Sequence, residues 1–221
     1  MWQSLYADLK DSGFVVVAVA MDVPEAARPW IEAARPDYPC LIDSSHHVAD
    51  LYNMVNVPQA AWIDEEGRIV RPTESAGAYE GFRSMDRATG KVPDEVAAIS
   101  SQAKRTYVEA VRDWVVNEGP SADVFDGEGA AAHLKLPDDS IAAAHAHFRL
   151  GGQLLRRGHE AEAREHFAEA RRLHPESWNI WRQTHPLDER GLASGPEFWA
   201  RVDALGTRRY YAPVDMKGMP R

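Results

Sequence analysis

Val55 to Pro72 reads VNVPQAAWIDEEGRIVRP, and this stretch decides the fold around it. Gln59 to Ile63 and Arg68 to Pro72 are strand-like, and Asp64-Glu65-Glu66-Gly67 between them is a turn. The pattern predicts a β-hairpin entered through Val57-Pro58. Working back toward the N-terminus, His46 to Met54 predicts a helix, Asp43-Ser44-Ser45 a turn, and Tyr38 to Ile42 a brief strand. Pro24 to Arg35 predicts a helix opened by Pro-Glu. Phe14 to Met21, FVVVAVAM, is a continuous apolar and β-branched run, the pattern of a central strand covered on both faces within a parallel sheet. Ahead of it, Trp2, Leu5, Tyr6 and Leu9 recur at helical spacing, so Trp2 to Lys10 predicts a short amphipathic helix stopped by Asp11-Ser12-Gly13.

Beyond Thr73 the chain is polar and Gly-containing through Gly90. Val96, Ile99, Ala103, Tyr107, Ala110, Val111 and Trp114 then repeat with helical period and predict a long helix from Pro93 to Glu118. Gly119 to Asp139, rich in Gly, Pro, Ser and Asp, reads as loop and as an internal boundary. Helices resume near Ser140. Three parts are expected: an α/β region over 1–80, a mostly α-helical region over 91–205, and a tail over 206–221 that lies on the surface or frays.

The composition narrows the function classes. With 25 basic against 34 acidic residues among 221, the net charge of −9 opposes a phosphate-binding surface, so no nucleic-acid partner is expected. A 44% hydrophobic content supports a sizeable core, yet no stretch approaches the roughly 18 consecutive apolar residues of a membrane helix. MWQSLYADLK lacks the basic start and long apolar run of a secretory signal, so the chain as written is expected to be cytoplasmic. The single cysteine, Cys40, excludes an internal disulfide, a CxxC pair and a thiolate-rich metal site. No cofactor is expected: there is no glycine-rich phosphate loop or dinucleotide fingerprint, and no nucleophile elbow is present either.

Helix, buried strand ending in Met21-Asp22, helix, Pro39-Cys40-Leu41-Ile42-Asp43, helix with Tyr52, Val57-Pro58, Trp62-Ile63-Asp64 and Gly67-Arg68-Ile69 follow one another in an order that resembles the thioredoxin-like redoxins. Within them the likeness is to the TlpA/ResA and AhpC/TSA groups, over roughly Met1 to Thr73. The resemblance implies a partial thioredoxin-like α/β fold and a thiol-disulfide oxidoreductase or thiol peroxidase acting in antioxidant defence and cell redox homeostasis. It also implies that Pro58 is cis and that Val57 and Pro58 form the substrate-binding element, offering strand-like hydrogen bonds to a protein thiol, a disulfide partner or a peptide.

One departure is severe. The family's redox cysteine motif lies at the start of the helix whose later part resembles Trp2 to Lys10, which places it upstream of Met1. The attacking group in such enzymes is a thiolate activated at a helix N-terminus. Cys40 does not replace it, because Tyr38-Pro39-Cys40-Leu41-Ile42 is an apolar strand start where a thiol packs as a small hydrophobe. No catalytic residue is therefore assigned, and the chain as given is expected to be inactive in thiol exchange. The strand matching Phe14 to Met21 would lack its family neighbours on both edges, leaving either re-pairing with Gln59 to Ile63 or an N-terminally truncated product. A selenocysteine codon read as a stop is one route to such a start, and any export signal would be lost with it.

Leu150, Gly151, Leu154, Gly158, Ala163, Phe167, Ala170 and Pro175 fall at the spacings of the roughly 34-residue tetratricopeptide pattern and predict one TPR-like hairpin over about 144–177. One repeat cannot bury a solenoid core, so the helices near Val96 to Trp114 and Pro196 to Leu205 are expected to pack against it. Trp178, Trp181, Phe198 and Trp199 read as core between helices. His145 and His147, two apart on a helix, face different ways, and with His133 and His166 they read as solvated helix surface rather than a metal site. The acidic pairs Glu65-Glu66, Asp138-Asp139 and Asp188-Glu189 read as turn and cap residues. Two functions stand at this point: a redoxin whose redox centre is missing from this chain, and a non-catalytic protein-interaction module on a degenerate redoxin scaffold with TPR-like helices.

Overall fold

The computed structural model describes residues 1–117, 121–188 and 191–220. Helix α1 (Trp2–Leu9) buries Leu5 and Leu9, which its spacing puts on one face, and closes through a single 3-10 turn at Gly13, where φ is 77°. Strand β1 (Ala18–Ala20), helix α2 (Pro24–Ala34) and strand β2 (Cys40–Ile42) form a crossover unit in which β1 and β2 are parallel, with Ala18 opposite Cys40. Helix α3 (His47–Leu51) begins where the buried Asp43 carboxylate accepts hydrogen bonds from the N–H groups of His47 and Val48, both at 2.8 Å. It is shorter than the predicted His46 to Met54, because the backbone turns left-handed at Asn53. Strands β3 (Gln59–Ile63) and β4 (Ile69–Ser75) are the antiparallel hairpin that the sequence predicts. Asp64 Oδ1 accepts from the N–H groups of Glu66 and Arg68, and Gly67 supplies the positive φ of the turn.

The run Phe14 to Met21 corrects the expectation of a central strand. Only Ala18–Ala20 is strand, and Val15 and Val17 stay 56% and 52% exposed. The run does not re-pair with Gln59 to Ile63; β1–β2 and β3–β4 are two separate two-stranded sheets. Nor are both edges without partners, since β2 pairs one of them. A strand held along a single edge has one ladder to extend, and this one stops where the short β2 stops.

Helix α4 (Asp94–Val116) turns Tyr107, Ala110 and Val111 into the principal core, with Leu5, Leu9, Trp62 and Met216, and also buries Ala103. Glu118 and Gly119, where that helix and the following loop were expected to meet, lie outside the described residues. Trp62 Nε1 donates to Tyr107 Oη at 2.8 Å, and the Trp62 and Trp114 rings stack. Helix α5 (Gly127–His133) stands within the stretch expected to be loop: Asp126 caps it at Gly129 N–H, and three alanines carry it against the Gly and Asp content.

Helices α6 (Asp139–Arg156) and α7 (Glu160–Leu173) pack as an antiparallel pair around Ala144, Phe148 and Ala170. Helices α8 (Trp178–Gln183) and α9 (Pro196–Asp203) bury Trp178, Trp181, Phe198 and Val202 with Tyr210. The long helix is thus not a cover for the α6–α7 pair as expected: its apolar face is taken by α1 and the hairpin, while α9 packs on α8. Glu189 of the acidic pair Asp188-Glu189 lies outside the described residues. Among those described, no helix is long and apolar enough to cross a membrane.

Among its described residues, which run to Pro220, the tail is packed down rather than frayed. Tyr210 and Met216 are buried, Ser75 Oγ donates to Ala212 O, and Arg71 Nη2 donates to Asp215 O at 2.8 Å. Arg71 is 1% exposed; it pairs with Glu74, donates also to Asp123 O, and lies over the Phe125 ring at 4.6 Å. One buried guanidinium therefore joins β4, the Asp123 loop and the tail.

Candidate functional site

The Val57–Pro58 peptide bond is cis, at the entrance to β3. The residues on both sides are pinned. Asn56, 3% exposed, accepts from Val57 N–H through Oδ1 at 2.9 Å and donates through Nδ2 to Tyr210 O at 3.2 Å. Gln59 Oε1 accepts from Asn56 N–H, and Val55 O accepts from Trp178 N–H at 2.8 Å. The cis-proline loop is thereby fixed between the hairpin, α8 and the tail.

The tail also reaches the element itself. Tyr211 Oη donates to Val57 O at 3.2 Å. Burial pushes the Tyr211 hydroxyl up to about 12, with the Tyr210 ring adding to the shift, so it remains a protonated donor at neutral pH. Val57 N–H is already given to Asn56, and Pro58 has no N–H. An extended peptide seeking strand-like hydrogen bonds here meets a carbonyl that is already engaged, and the Val57 side chain, which is partly exposed.

Glu80 anchors that tail. Its carboxylate accepts from Tyr210 N–H at 2.7 Å, Arg209 at 2.8 Å and Arg83 at 3.0 Å. Burial opposes its ionisation, but these three donors outweigh burial and hold the carboxyl below its ordinary value.

Cys40 is not the buried thiol expected of its apolar surroundings; it opens the edge strand β2 and is partly exposed. The histidines divide into kinds. His145 is buried rather than solvated, correcting the surface expectation, and His46 and His174 are buried with it: His46 lies 4.8 Å from the Phe148 ring, and His145 6.0 Å from His174. His145 Nε2 is 3.8 Å from Asp50, whose carboxylate also holds Arg149. This cluster joins α3 to the α6–α7 pair. His145 and His147 do face different ways, and His147 meets His166 instead. His133 stacks on Phe125 and bonds Asp215.

Sequence reasoning named Val57 and Pro58 but missed Asn56, Glu80 and Tyr211. Asn56 carries a local signal, since an Asn side chain readily bonds the next backbone N–H in a turn. Tyr211 carries none, because its partner stands 154 positions away.

Residues 1–71 match the model of the AhpC/TSA family, which supports a thioredoxin-like redoxin assignment for that segment and a redoxin-type, thiol-dependent function at the level of the family. Comparison with curated proteins and with solved structures gives no match.

Proposed function

We propose that this chain carries the cis-proline portion of a thioredoxin-like redoxin, related to the TlpA/ResA and AhpC/TSA groups, and serves thiol-disulfide exchange or thiol peroxidase chemistry with a nucleophile from outside these 221 residues. The AhpC/TSA match over residues 1–71 carries the proposal. The sheet geometry supports it: β1 and β3 sit in separate two-stranded sheets, each with an edge that no described strand pairs, so the redoxin segment is two half-sheets rather than one. Within this chain Val57 and Pro58 are the substrate-facing element for a protein thiol, disulfide or peptide. Residues 1–80 form the redoxin portion, and 91–205 form the helical portion with a TPR-like pair at about 144–177.

The test is the coding sequence preceding the Met1 codon. An in-frame strand followed by a redox cysteine motif, or the same motif interrupted by UGA at a selenocysteine position, is the expected result. An unrelated upstream region would overturn the proposal.

A second function rests on a specific contact. Because Tyr211 occupies the Val57 carbonyl, the chain also suits a non-catalytic interaction module in which the redoxin scaffold is an internal docking surface for its own tail. In that case no upstream motif exists, and Tyr211→Phe leaves any thiol chemistry absent.

A further inference from the structure

We propose that His147 and His166 form a divalent transition-metal site that clamps α6 to α7 through their Nδ1 atoms. The two residues stand 19 positions apart in sequence, one on each helix, and bring Nδ1 to within 2.8 Å of Nδ1, with ring centroids 5.0 Å apart. A neutral imidazole has one N–H and one lone pair, so at this separation one ring donates and the other accepts, and a single proton lies between them.

A metal ion replaces that proton. Two nitrogens on a tetrahedral zinc, each at about 2.0–2.1 Å, lie roughly 3.3 Å apart, so the pair need open by only about 0.5 Å. The exchange balances without redox chemistry. The bridging proton moves by way of solvent to Nε2 of its own ring, both imidazoles stay neutral, and the hydrated ion gives up two waters for two lone pairs. Both rings are partly exposed, which leaves an entry path.

Glu169 follows His166 by three positions on the same helix face, but its carboxylate is already held by Arg172 at 2.6 Å and 2.7 Å and is not a third ligand. Among the described residues no three of His, Cys, Asp and Glu converge on one point. The site is thus a two-imidazole chelate whose other positions belong to water, favouring zinc, nickel or copper over magnesium or calcium. Its mechanical consequence is a staple across the helix pair that Gly151 and Phe167 already bring close.

The full chain, prepared without a polyhistidine tag, is titrated at pH 7.5 with zinc chloride and with nickel chloride by calorimetry, and its melting temperature is followed in parallel. The expected result is one ion per chain, a rise in Tm of about 5–10 °C at metal roughly a hundredfold above Kd, and loss of both effects in His147→Ala and in His166→Ala. His159→Ala, at the exposed α6–α7 turn, retains them. Absence of binding, or binding that survives both single substitutions, overturns the proposal. If either variant fails to fold, side-chain 15N spectra of the unsubstituted chain decide: zinc must shift the Nδ1 resonances of these two histidines, and shifts confined to other histidines refute the site.

Discussion

Glu80→Gln should release the tail from the cis-proline loop while leaving the rest of the fold in place. The substitution keeps the shape of the side chain and removes its charge. In the native chain, Glu80 is 9% exposed and accepts from Tyr210 N–H, Arg209 and Arg83. A buried charge-assisted hydrogen bond contributes about 1.5–3 kcal/mol and its neutral counterpart about 1 kcal/mol. The half-exposed Arg209 contact adds about 0.5 kcal/mol, as expected of a pair open to solvent. The difference is about 1–2 kcal/mol, or roughly a 5–30-fold increase in the open population of the tail. Native-state amide exchange followed by mass spectrometry reads this directly. Peptides covering 207–216 and 55–60 should exchange faster by that factor, while those from α6 and α7 should not change. Unchanged exchange in the tail, or equal acceleration everywhere, would refute the anchoring role.

The same carboxylate gives the tail a pH dependence. Its folded pKa is depressed, so the contribution is full above the unfolded value of about 4.3 and is lost as the pH falls from there through the folded value, which acid-exchange measurements on the same peptides should show. Arg71→Met leaves Glu74 without its cation and two carbonyls without a donor, and should cost about 3–5 kcal/mol in urea denaturation; less than about 1 kcal/mol would contradict the burial argument. Gly151→Ala places a Cβ 2.7 Å from the Phe167 ring and 3.2 Å from Ala163 O, so the cost of forcing the helices apart should exceed the gain in helix propensity by about 1–2 kcal/mol. A stabilised variant would show that the pair is looser than described. His46, His145 and His174 all have pKa values lowered, in each case first by burial, among Asp43, Asp50, Arg149, Glu176 and Asp138. Their neutral forms stabilise the fold above the unfolded pKa of about 6.5, and up to about 1.4 kcal/mol per histidine is lost by pH 5.5. Tm should fall over that interval, and His145→Phe should flatten the profile; a flat profile in the unsubstituted chain would contradict the cluster.

The hairpin was legible because its information is local: two short strand-like runs and the Asp-to-Gly turn between them determine Gln59–Ile63 and its return strand by themselves. The amphipathic faces of α1 and α4 were legible for the same reason, with Leu5, Leu9, Tyr107 and Val111 buried as their spacing requires. The run FVVVAVAM misled because apolar content reports a capacity for burial, while the length of a strand depends on its partners; one three-residue neighbour leaves most of the run irregular. The burial of His46, His145 and His174 was hidden because it depends on α3 meeting α6, contacts separated by about a hundred positions, whereas composition assigns histidine to surfaces as readily as to cores. The tail was illegible for a similar reason: Tyr211, Met216 and the carbonyl of Asp215 find partners in the first half of the chain. Of the candidate site, Val57 and Pro58 came from the resemblance, while Asn56, Glu80 and Tyr211 are brought together only by the fold.

The most direct measurement is insulin reduction by dithiothreitol, run with the chain as it stands, with Cys40→Ser, and with the chain extended by the in-frame segment encoded immediately upstream. The extended chain should accelerate the reaction in a manner that depends on its added thiol or selenol and weakens in Pro58→Ala, while the other two remain at the uncatalysed rate. Turnover by the unextended chain that disappears in Cys40→Ser would instead place the nucleophile on β2, and an extended chain inert both in this assay and in peroxide reduction by dithiothreitol would remove the redoxin function.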